Sequence, residues 1–540
     1  MPAFQTRAQL KSEAFQKNRE DMLALVGELR ALEARAVAAS DKRTPTFRKR
    51  GQLTPRERLD ALLDPGMPFL RLHSLANFMV ENPDPEKSVP GASAIGGIGF
   101  VSGVRCMVLS DDSGIKAGAM TAKSLPVVCN MQLIALKHKL PFIHLVESAG
   151  ADLTQYKVEM WAAGGMVFRN LAWLSAAGVP TITVLHGPST AGGAYMPGMS
   201  DYVIGVKKNG MAALAGAALT KAATGEEADE RQLGGTEMHA TVSGLVEYLA
   251  EDDAHGVEIA RDVVARLGWN RRAATPKRMP YEPPKLNSDE IAGVVPTDYK
   301  VAYDVREVMA RFLDASDFDE FKPGYGPATI CAQGSVTGFA VGVIGNNGPL
   351  DPDGATKAAQ FIQLCDQAET PLIFLNNITG YMVGTEYEQK GMIKHGSKMI
   401  QAVSNVRVPK ISFYIGASYG AGNYGMAGYA YEPDFLFAWP NSTSGVMGGE
   451  QASKTMVEVF TQGAKRRGVE VPAEMIEAEA KKIRDVFEAQ ESAFYTSGLC
   501  LDHGVIDPRD TRKVIAMALE TVLEGKARTV QPNAFGVARM

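Results

Sequence analysis

Apolar positions along the chain change period more than once. Between residues 13 and 40 they recur at helical spacing within alternating charge, as at Met22, Leu23, Val26, Leu29 and Leu32, which predicts an amphipathic helix. From Ala94 the pattern becomes short apolar runs separated by helical stretches. Ile98–Val101 and Arg105–Leu109 read as strands joined by a turn at Ser102-Gly103. A helix is predicted over about 121–138, and a buried strand over Phe142–Val146 that stops at Glu147-Ser148-Ala149-Gly150. A further helix over about 158–176 precedes a strand at Thr181–Leu185 that ends at His186-Gly187-Pro188. Alternation of this kind predicts an α/β fold with parallel strands and crossover helices, whose ligands sit beyond the carboxyl ends of the strands.

The pattern then repeats. Residues 271–298 are rich in Arg, Lys and Pro and read as a linker between an N-terminal domain (1–270) and a C-terminal domain (299–540). The second domain carries predicted strands near Ser335–Thr337, Ala340–Ile344, Leu372–Leu375 and Lys410–Ile415, and closes with charged amphipathic helices near 473–495 and 511–525. Pro141-Phe142-Ile143-His144-Leu145 returns as Pro371-Leu372-Ile373-Phe374-Leu375, an offset of 230 (371 − 141). Val179-Pro180-Thr181-Ile182 returns as Val408-Pro409-Lys410-Ile411, and Thr190–Tyr195 as Tyr419–Tyr424, both at an offset of 229 (409 − 180; 422 − 193). Two tandem domains related by internal duplication follow, with glycine loops at the same place in each. Such a chain suits two reactants, one per copy.

Length and composition sharpen this picture modestly. At 540 residues the chain exceeds what one core organises, which agrees with two large domains. A formal net charge of −5 gives no support to a nucleic-acid partner. No run of 18 apolar residues offers a membrane span, and the acidic N-terminus (Glu13, Glu20, Asp21) does not read as a targeting segment. The five cysteines are scattered without a C-x-x-C pair, which argues against a zinc ribbon or a disulfide framework and for a reducing, cytoplasmic setting. The basic stretch Lys42, Arg43, Arg48, Lys49, Arg50, Arg56 and Arg58 reads as a solvated face or as a grip for an anionic ligand such as the phosphates of coenzyme A.

The chemistry is expected at loops. Ser189-Thr190-Ala191-Gly192-Gly193-Ala194 follows a buried strand and opens helix-like sequence, so its amides should point outward and can bind a developing oxyanion. Gly420-Ala421-Gly422 occupies the equivalent place in the second copy. Ser148-Ala149-Gly150-Ala151-Asp152-Leu153 and its counterpart Thr379-Gly380-Tyr381 end the neighbouring strands and supply second donors, walls, or simple strand-end turns. A Ser–His mechanism through Ser189 and His186 is not supported: there is no G-x-S-x-G elbow, and no carboxylate at recognisable spacing orients a base. His144 and Cys365 read as core, and Gly96-Gly97-Ile98-Gly99 lacks dinucleotide-loop spacing. A site built from two sets of backbone donors suits a reaction that generates an enolate, with the proton acceptor brought by the other reactant.

At these residues the chain resembles the carboxyltransferase (β) subunits of biotin-dependent acyl-CoA carboxylases, over nearly its whole length. The matches include Leu53–Arg58, Thr190–Pro197, Lys221–Glu227, Leu233-Gly234-Gly235, Tyr419–Met426, Val446–Gln451 and Ile506–Arg512, of which Gly422–Met426 and Val446–Gln451 look like the 3-methylcrotonyl/geranyl branch. The resemblance implies a pair of crotonase-type (ClpP/crotonase superfamily) domains. It implies acyl-CoA in the first half of one subunit and biotin, carried by a separate biotin carboxylase/biotin carrier α subunit, at the second half of a neighbour in a homo-oligomer with a hexameric core. Carried over by motif, Gly192 and Gly193 would stabilise the acyl-CoA enolate, with Ala149, Gly150, Ala151, Gly164, Gly165 and Ala191 about the substrate. Ala421 and Gly422 would hold the biotin ureido oxygen, with Thr379, Gly380, Tyr381 and Gly420 around it, and no metal in this chain. Two departures matter. Gly164 stands where methylcrotonyl enzymes carry an aromatic residue, which opens space for a longer chain, unless glycine there merely aids helix packing; Ala149 stands where relatives often have glycine. The expected activity is carboxylation of geranyl-CoA at its γ-carbon, as in acyclic terpene breakdown. 3-Methylcrotonyl-CoA, as in leucine breakdown, is the alternative substrate, and a crotonase-type hydratase or isomerase, or a non-catalytic acyl-CoA-binding scaffold, is the rival class.

Overall fold

Ser102 and Gly103 both take positive φ (50° and 73°), the geometry a two-residue hairpin needs, and they join β2 (Ala94–Val101) to β3 (Val104–Asp111). The computed structural model describes residues 4–152, 157–468 and 471–532. Two units divide the chain, one comprising residues 31–276, 498–500 and 520–540, the other residues 1–30, 277–497 and 501–519.

In the first unit, β1 (Leu70–Leu72) and β2 pair antiparallel to their neighbours, and β4 (Phe142–Ser148), β5 (Thr181–Thr190), β6 (Tyr202–Val206) and β8 (Tyr248–Ala250) continue the sheet in parallel. A short β7 (Met211–Ala213) pairs in parallel with the carboxyl end of β5. That pairing carries β5 through His186-Gly187-Pro188, where the sequence predicts its end, to Thr190. The helices Ser124–His138 and Val158–Ala176 follow β3 and β4 as predicted. Continuous apolar strands are the mark of a sheet covered on both faces, and Ile143, Leu145, Ile182, Val184 and Ile204 are at most 1% exposed in this core.

The second unit repeats the plan. β9 (Asp319–Glu320), β10 (Thr329–Val336) and β11 (Phe339–Asn346) are antiparallel, and β12 (Leu372–Ile378), β13 (Lys410–Tyr419) and β14 (Phe435–Ala438) run parallel from β11. β15 (Thr443–Gly445) pairs with the carboxyl end of β13 just as β7 does with β5. The register breaks once between β4 and β5, between Val146 and Ser148, and once between β12 and β13, between Asn376 and Ile378, again at an offset of 230 (376 − 146). The duplication therefore extends to an irregularity of the ladder just before each glycine loop. The terminal helices Ala473–Glu491 and Thr511–Ala527 agree with the amphipathic patterns, and the helix Glu13–Asp41 buries Met22, Val26, Leu29 and Leu32. No helix among the described residues is long and apolar enough to cross a membrane.

Candidate functional site

The glycine loops sit where the duplicated strands end. After β5, Ala191–Ala194 forms a 3₁₀ turn, and after β13, Gly420–Gly425 forms a short helix. Ala191 and Gly420 share φ = 54° at equivalent positions, so each loop enters its turn through one left-handed residue. The first copy does this without glycine, a conformation that costs an alanine roughly 1 kcal/mol. The first amides of a helical turn have no partner within it, and Gly192, Gly193, Ala421 and Gly422 stand at these positions of the two turns.

The neighbouring loops match as well. The Met120 amide donates to the Gly150 carbonyl at 2.9 Å, and Leu350 to Gly380 at 3.1 Å. Gly150 (φ 83°) and Gly380 (φ 136°) both need the freedom of glycine. The Ala149 amide is spent on the Ala117 carbonyl (3.0 Å) and the Gly150 amide on Ser148 Oγ (3.2 Å), so this loop forms a wall and offers no second donor from those two residues. Leu153, at its end, lies outside the described residues. In the second unit, Thr379 is exposed while the Tyr381 ring turns inward, where a Cβ added at Gly425 would lie 2.3 Å from its hydroxyl and one at Gly396 would meet its ring.

A cavity of about 780 Å³ opens beside the first loop, within the first unit. Gly150, Ala151, Ala191, Gly192 and Gly193 line it, as do Gly164 and Gly165 from the helix Val158–Ala176; Ala149 does not. A Cβ built at Gly164 or Gly165 meets nothing within 4 Å, so neither glycine is demanded by packing. Phe168, one turn on, stands edge to face with Tyr195 at 5.6 Å and lies 3.5 Å from a Cβ built at Gly192. The strand floor of the cavity is His144, Val146 and Ser148, one face of β4. His144 is thus not the plain core residue its strand suggests: Nε2 lies 3.1 Å from Asp111 Oδ1, and both residues line the cavity.

Behind β5 a charged cluster is sealed from water. Arg58 is fully buried, with Nη1 2.6 Å from Glu147 Oε2 and Nε 2.8 Å from Asp253 Oδ2, while Asp253 Oδ1 lies 3.0 Å from His186 Nδ1. Burial, and then the Arg58 charge, hold the His186 imidazole below its ordinary pKa. A carboxylate therefore does lie beside His186, which the sequence could not show because Asp253 is remote in the chain, but neither Nδ1 nor Asp253 Oδ1 makes a hydrogen bond with any described residue. His186 still forms no nucleophile pair with Ser189, since residues three apart on a strand point to opposite faces. The Ser189 hydroxyl instead donates to the Gly193 carbonyl at 2.8 Å. Three cations of the basic stretch are engaged in ion pairs: Arg58 as above, Arg56 with Asp112 (3.0 Å) and Arg48 with Glu57.

A duplicated crotonase-type frame, with paired strand-end loops and an apolar cavity at the first of them, defines an acyl-CoA carboxyltransferase. The carboxyl transferase domain family matches residues 46–537, and the chain belongs to that family, as a β subunit of the biotin-dependent acyl-CoA carboxylases. The crystal structure of the P. aeruginosa geranyl-CoA carboxylase β subunit superposes with a TM-score of 0.93 at 46% identity, covering 100% of each chain. A probable biotin-dependent acyl-coenzyme A carboxylase beta2 subunit of Mycobacterium tuberculosis (strain ATCC 25618 / H37Rv) is 45% identical over 98% of each chain. The mitochondrial methylcrotonoyl-CoA carboxylase beta chain of Arabidopsis thaliana is 41% identical over 98% of this chain and 90% of its own.

Proposed function

We propose that this chain transfers a carboxyl group to the γ-carbon of a branched α,β-unsaturated acyl-CoA of geranyl length, working with a biotinylated α subunit. The observation that carries the substrate is the open helix face. Two adjacent glycines in mid-helix cost roughly 1 kcal/mol each against alanine, no neighbour requires either of them, and both open onto the cavity. That favours a ten-carbon chain over 3-methylcrotonyl-CoA, the second reading, whose short chain would leave the space empty.

In this reading the acyl thioester lies along the cavity with its oxygen at the Gly192 and Gly193 amides, which stabilise the negative charge of the dienolate in a water-poor site. Ser189 holds the turn by its bond to the Gly193 carbonyl, and Gly150 and Ala151 wall the reacting carbons. The carboxylates lining the cavity are engaged, Asp111 by His144 and Asp152 by Lys116 (3.3 Å), which speaks against a hydratase or isomerase that needs a carboxylate at the enolate. The second loop fits an oxygen acceptor of the kind a ureido group presents: Ala421 is exposed at the first turn, and Gly422 is pressed so close to Ile378 and Gly380 that a Cβ would lie 2.7 Å and 3.0 Å from them. Ala421 and Gly422 would hold that oxygen, with Thr379 and Gly380 beside it. Carboxybiotin, when bound, supplies the carboxyl group and the acceptor for the substrate proton. The five cysteines are free and buried, which suits a reducing compartment such as the cytoplasm.

The test is fixation of ¹⁴C-bicarbonate, with ATP and the biotinylated partner, into geranyl-CoA and 3-methylcrotonyl-CoA. Label in geranyl-CoA with the higher kcat/KM supports the reading. Preference for the five-carbon thioester moves it to the second reading, and no label in either sinks both.

A further inference from the structure

In the first unit Ala151, Val167 and Met196 all line the acyl cavity. The duplication fixes their counterparts in the second unit. The parallel bridge between Met120 and Ala151 returns between Leu350 and Tyr381, an offset of 230 (381 − 151). The helices that follow end at Ala176 and Asn405, an offset of 229 (405 − 176), which sets Gly396 at the place of Val167. The strand-end loops keep the same offset, so Gly425 stands where Met196 does (425 − 196). Side-chain volume has therefore changed places: alanine, valine and methionine border an open cavity in one copy, and tyrosine meets two glycines in the other. The Tyr381 ring fills the slot those glycines leave. A Cβ added at Gly396 would lie 3.2 Å from its Cε1, and one at Gly425 2.3 Å from its hydroxyl oxygen. Leu350 holds the backbone on both sides of Tyr381, donating to the Gly380 carbonyl (3.1 Å) and accepting from the Met382 amide (2.8 Å). Behind the ring lies a core cluster that includes Ile378, Met392, Met399 and Met426. Gly164 and Gly165, which open the helix face of the first copy, return at the helix offset as Ile393 and Lys394, both exposed.

The hydroxyl at the tip of the ring is buried and has no hydrogen-bond partner among the described residues, so what this position uses is the volume of the ring. Without it the second loop would stand over a hollow, as the first does, and a thioester chain would compete there with the other reactant. Specificity between two loops of equal backbone geometry needs a feature that rejects the wrong ligand from one of them. We infer that Tyr381 is that feature, the specificity-determining residue of the second loop: its ring occupies the space that an acyl chain takes in the first copy and closes this copy to acyl thioesters. This role rests on the acyl-CoA reading of the first loop, and no step of the carboxyl transfer changes.

Tyr381→Ala removes the phenol group, and because the surroundings of a lost ring relax only in part, a hollow should remain. The experiment counts ¹⁴C-3-methylcrotonyl-CoA bound per chain of the reconstituted holoenzyme by equilibrium dialysis; its five-carbon chain is no larger than the group removed. The unaltered enzyme should bind one equivalent, and Tyr381→Ala should bind two. Tyr381→Phe keeps the ring and should bind one. A kinetic readout accompanies the count: 3-methylcrotonyl-CoA should inhibit carboxylation of geranyl-CoA by Tyr381→Ala in a way that saturating geranyl-CoA does not relieve, whereas inhibition of the unaltered enzyme should be relieved. Tyr381→Val vacates less space and reports if Tyr381→Ala does not fold. A folded alanine or valine variant that still binds one equivalent overturns the role of Tyr381, as does a second equivalent in the unaltered enzyme or in Tyr381→Phe. Binding of none by the unaltered enzyme, by contrast, marks failure of the underlying acyl-CoA reading, and the role of Tyr381 falls with it.

Discussion

Filling the helix face at Gly164 tests the substrate assignment most directly. A Cβ at this position meets nothing within 4 Å, so in Gly164→Phe the backbone need not move and the ring must enter the cavity. Phenylalanine is also the better helix former by several tenths of a kcal/mol, so the melting temperature should hold or rise slightly. The loss falls on whatever part of the substrate the ring displaces. Geranyl-CoA exceeds 3-methylcrotonyl-CoA by about five carbons, and at ~0.8 kcal/mol per buried carbon their exclusion forfeits up to about 4 kcal/mol. That corresponds to a fall of about a thousandfold in kcat/KM for geranyl-CoA. 3-Methylcrotonyl-CoA ends before the glycine pair and should change by less than about tenfold. The assay is steady-state ¹⁴C-carboxylation of both thioesters by the reconstituted holoenzyme, with circular dichroism melts as the folding control. Equal losses on both substrates, with the melt unchanged, would refute the pocket argument, because a ring that merely disturbed the Gly192–Gly193 turn would injure both alike.

Three further outcomes are expected. Arg58→Met leaves Glu147 and Asp253 buried without their cation and should destabilise the first unit by about 3–5 kcal/mol in urea unfolding; a loss under about 1 kcal/mol would show that the cluster is not the charge clamp its geometry describes. Burial raises Asp502 from 3.8 to about 7, with Ser497 donating to it at 2.8 Å, so the folded chain keeps a proton there that the unfolded chain has released. Stability should accordingly fall as pH climbs from about 4 to about 7, and Asp502→Asn should be nearly neutral below about pH 4 and stabilising by about 2–4 kcal/mol at pH 8; a difference that does not vary with pH would contradict this. Gly420→Ala places a Cβ 3.1 Å from the Val446 carbonyl at φ = 54° and should cost about 1–2 kcal/mol, whereas Ala191→Gly relieves the same φ and should be neutral or stabilising by about 0.5 kcal/mol; paired chemical melts that ranked the two the other way would refute the strain argument.

Much of the frame was legible because it rests on local periodicity and on repetition. The 158–176 helix and the β2–β3 hairpin were readable from spacing and a turn pair, and both strand-end loops from the offsets of 229 and 230. What escaped the sequence is non-local. β5 looks finished at Gly187-Pro188 until β7 pairs alongside it. Arg58 reads as one more surface cation, yet its carboxylate partners lie 89 and 195 residues away in the chain. His144 carries the periodicity of a core strand, and only the packing of Asp111 and two helices shows that its face of the strand borders a cavity.

The two copies share a backbone and differ in what stands behind it. Gly187 and Gly416 occupy equivalent positions on β5 and β13, and a Cβ at either would strike the side chain in the slot beneath, Glu147 at 2.4 Å in one copy and Asn377 at 2.4 Å in the other. In the first copy that slot holds a carboxylate clamped by Arg58; in the second it holds an amide. The serine before each loop diverges in the same way. Ser189 braces the loop itself through the Gly193 carbonyl, whereas Ser418 donates to Asn376 (3.1 Å) and accepts from Asn423 (2.9 Å), and Asn376 in turn donates to the Met426 carbonyl (3.0 Å). Among side-chain bonds of the described residues, Ser189 alone braces the first loop through its Gly193 carbonyl, whereas Ser418, Asn376 and Asn423 link across the second. Equal backbone geometry at the two loops thus comes with unequal side-chain support behind it.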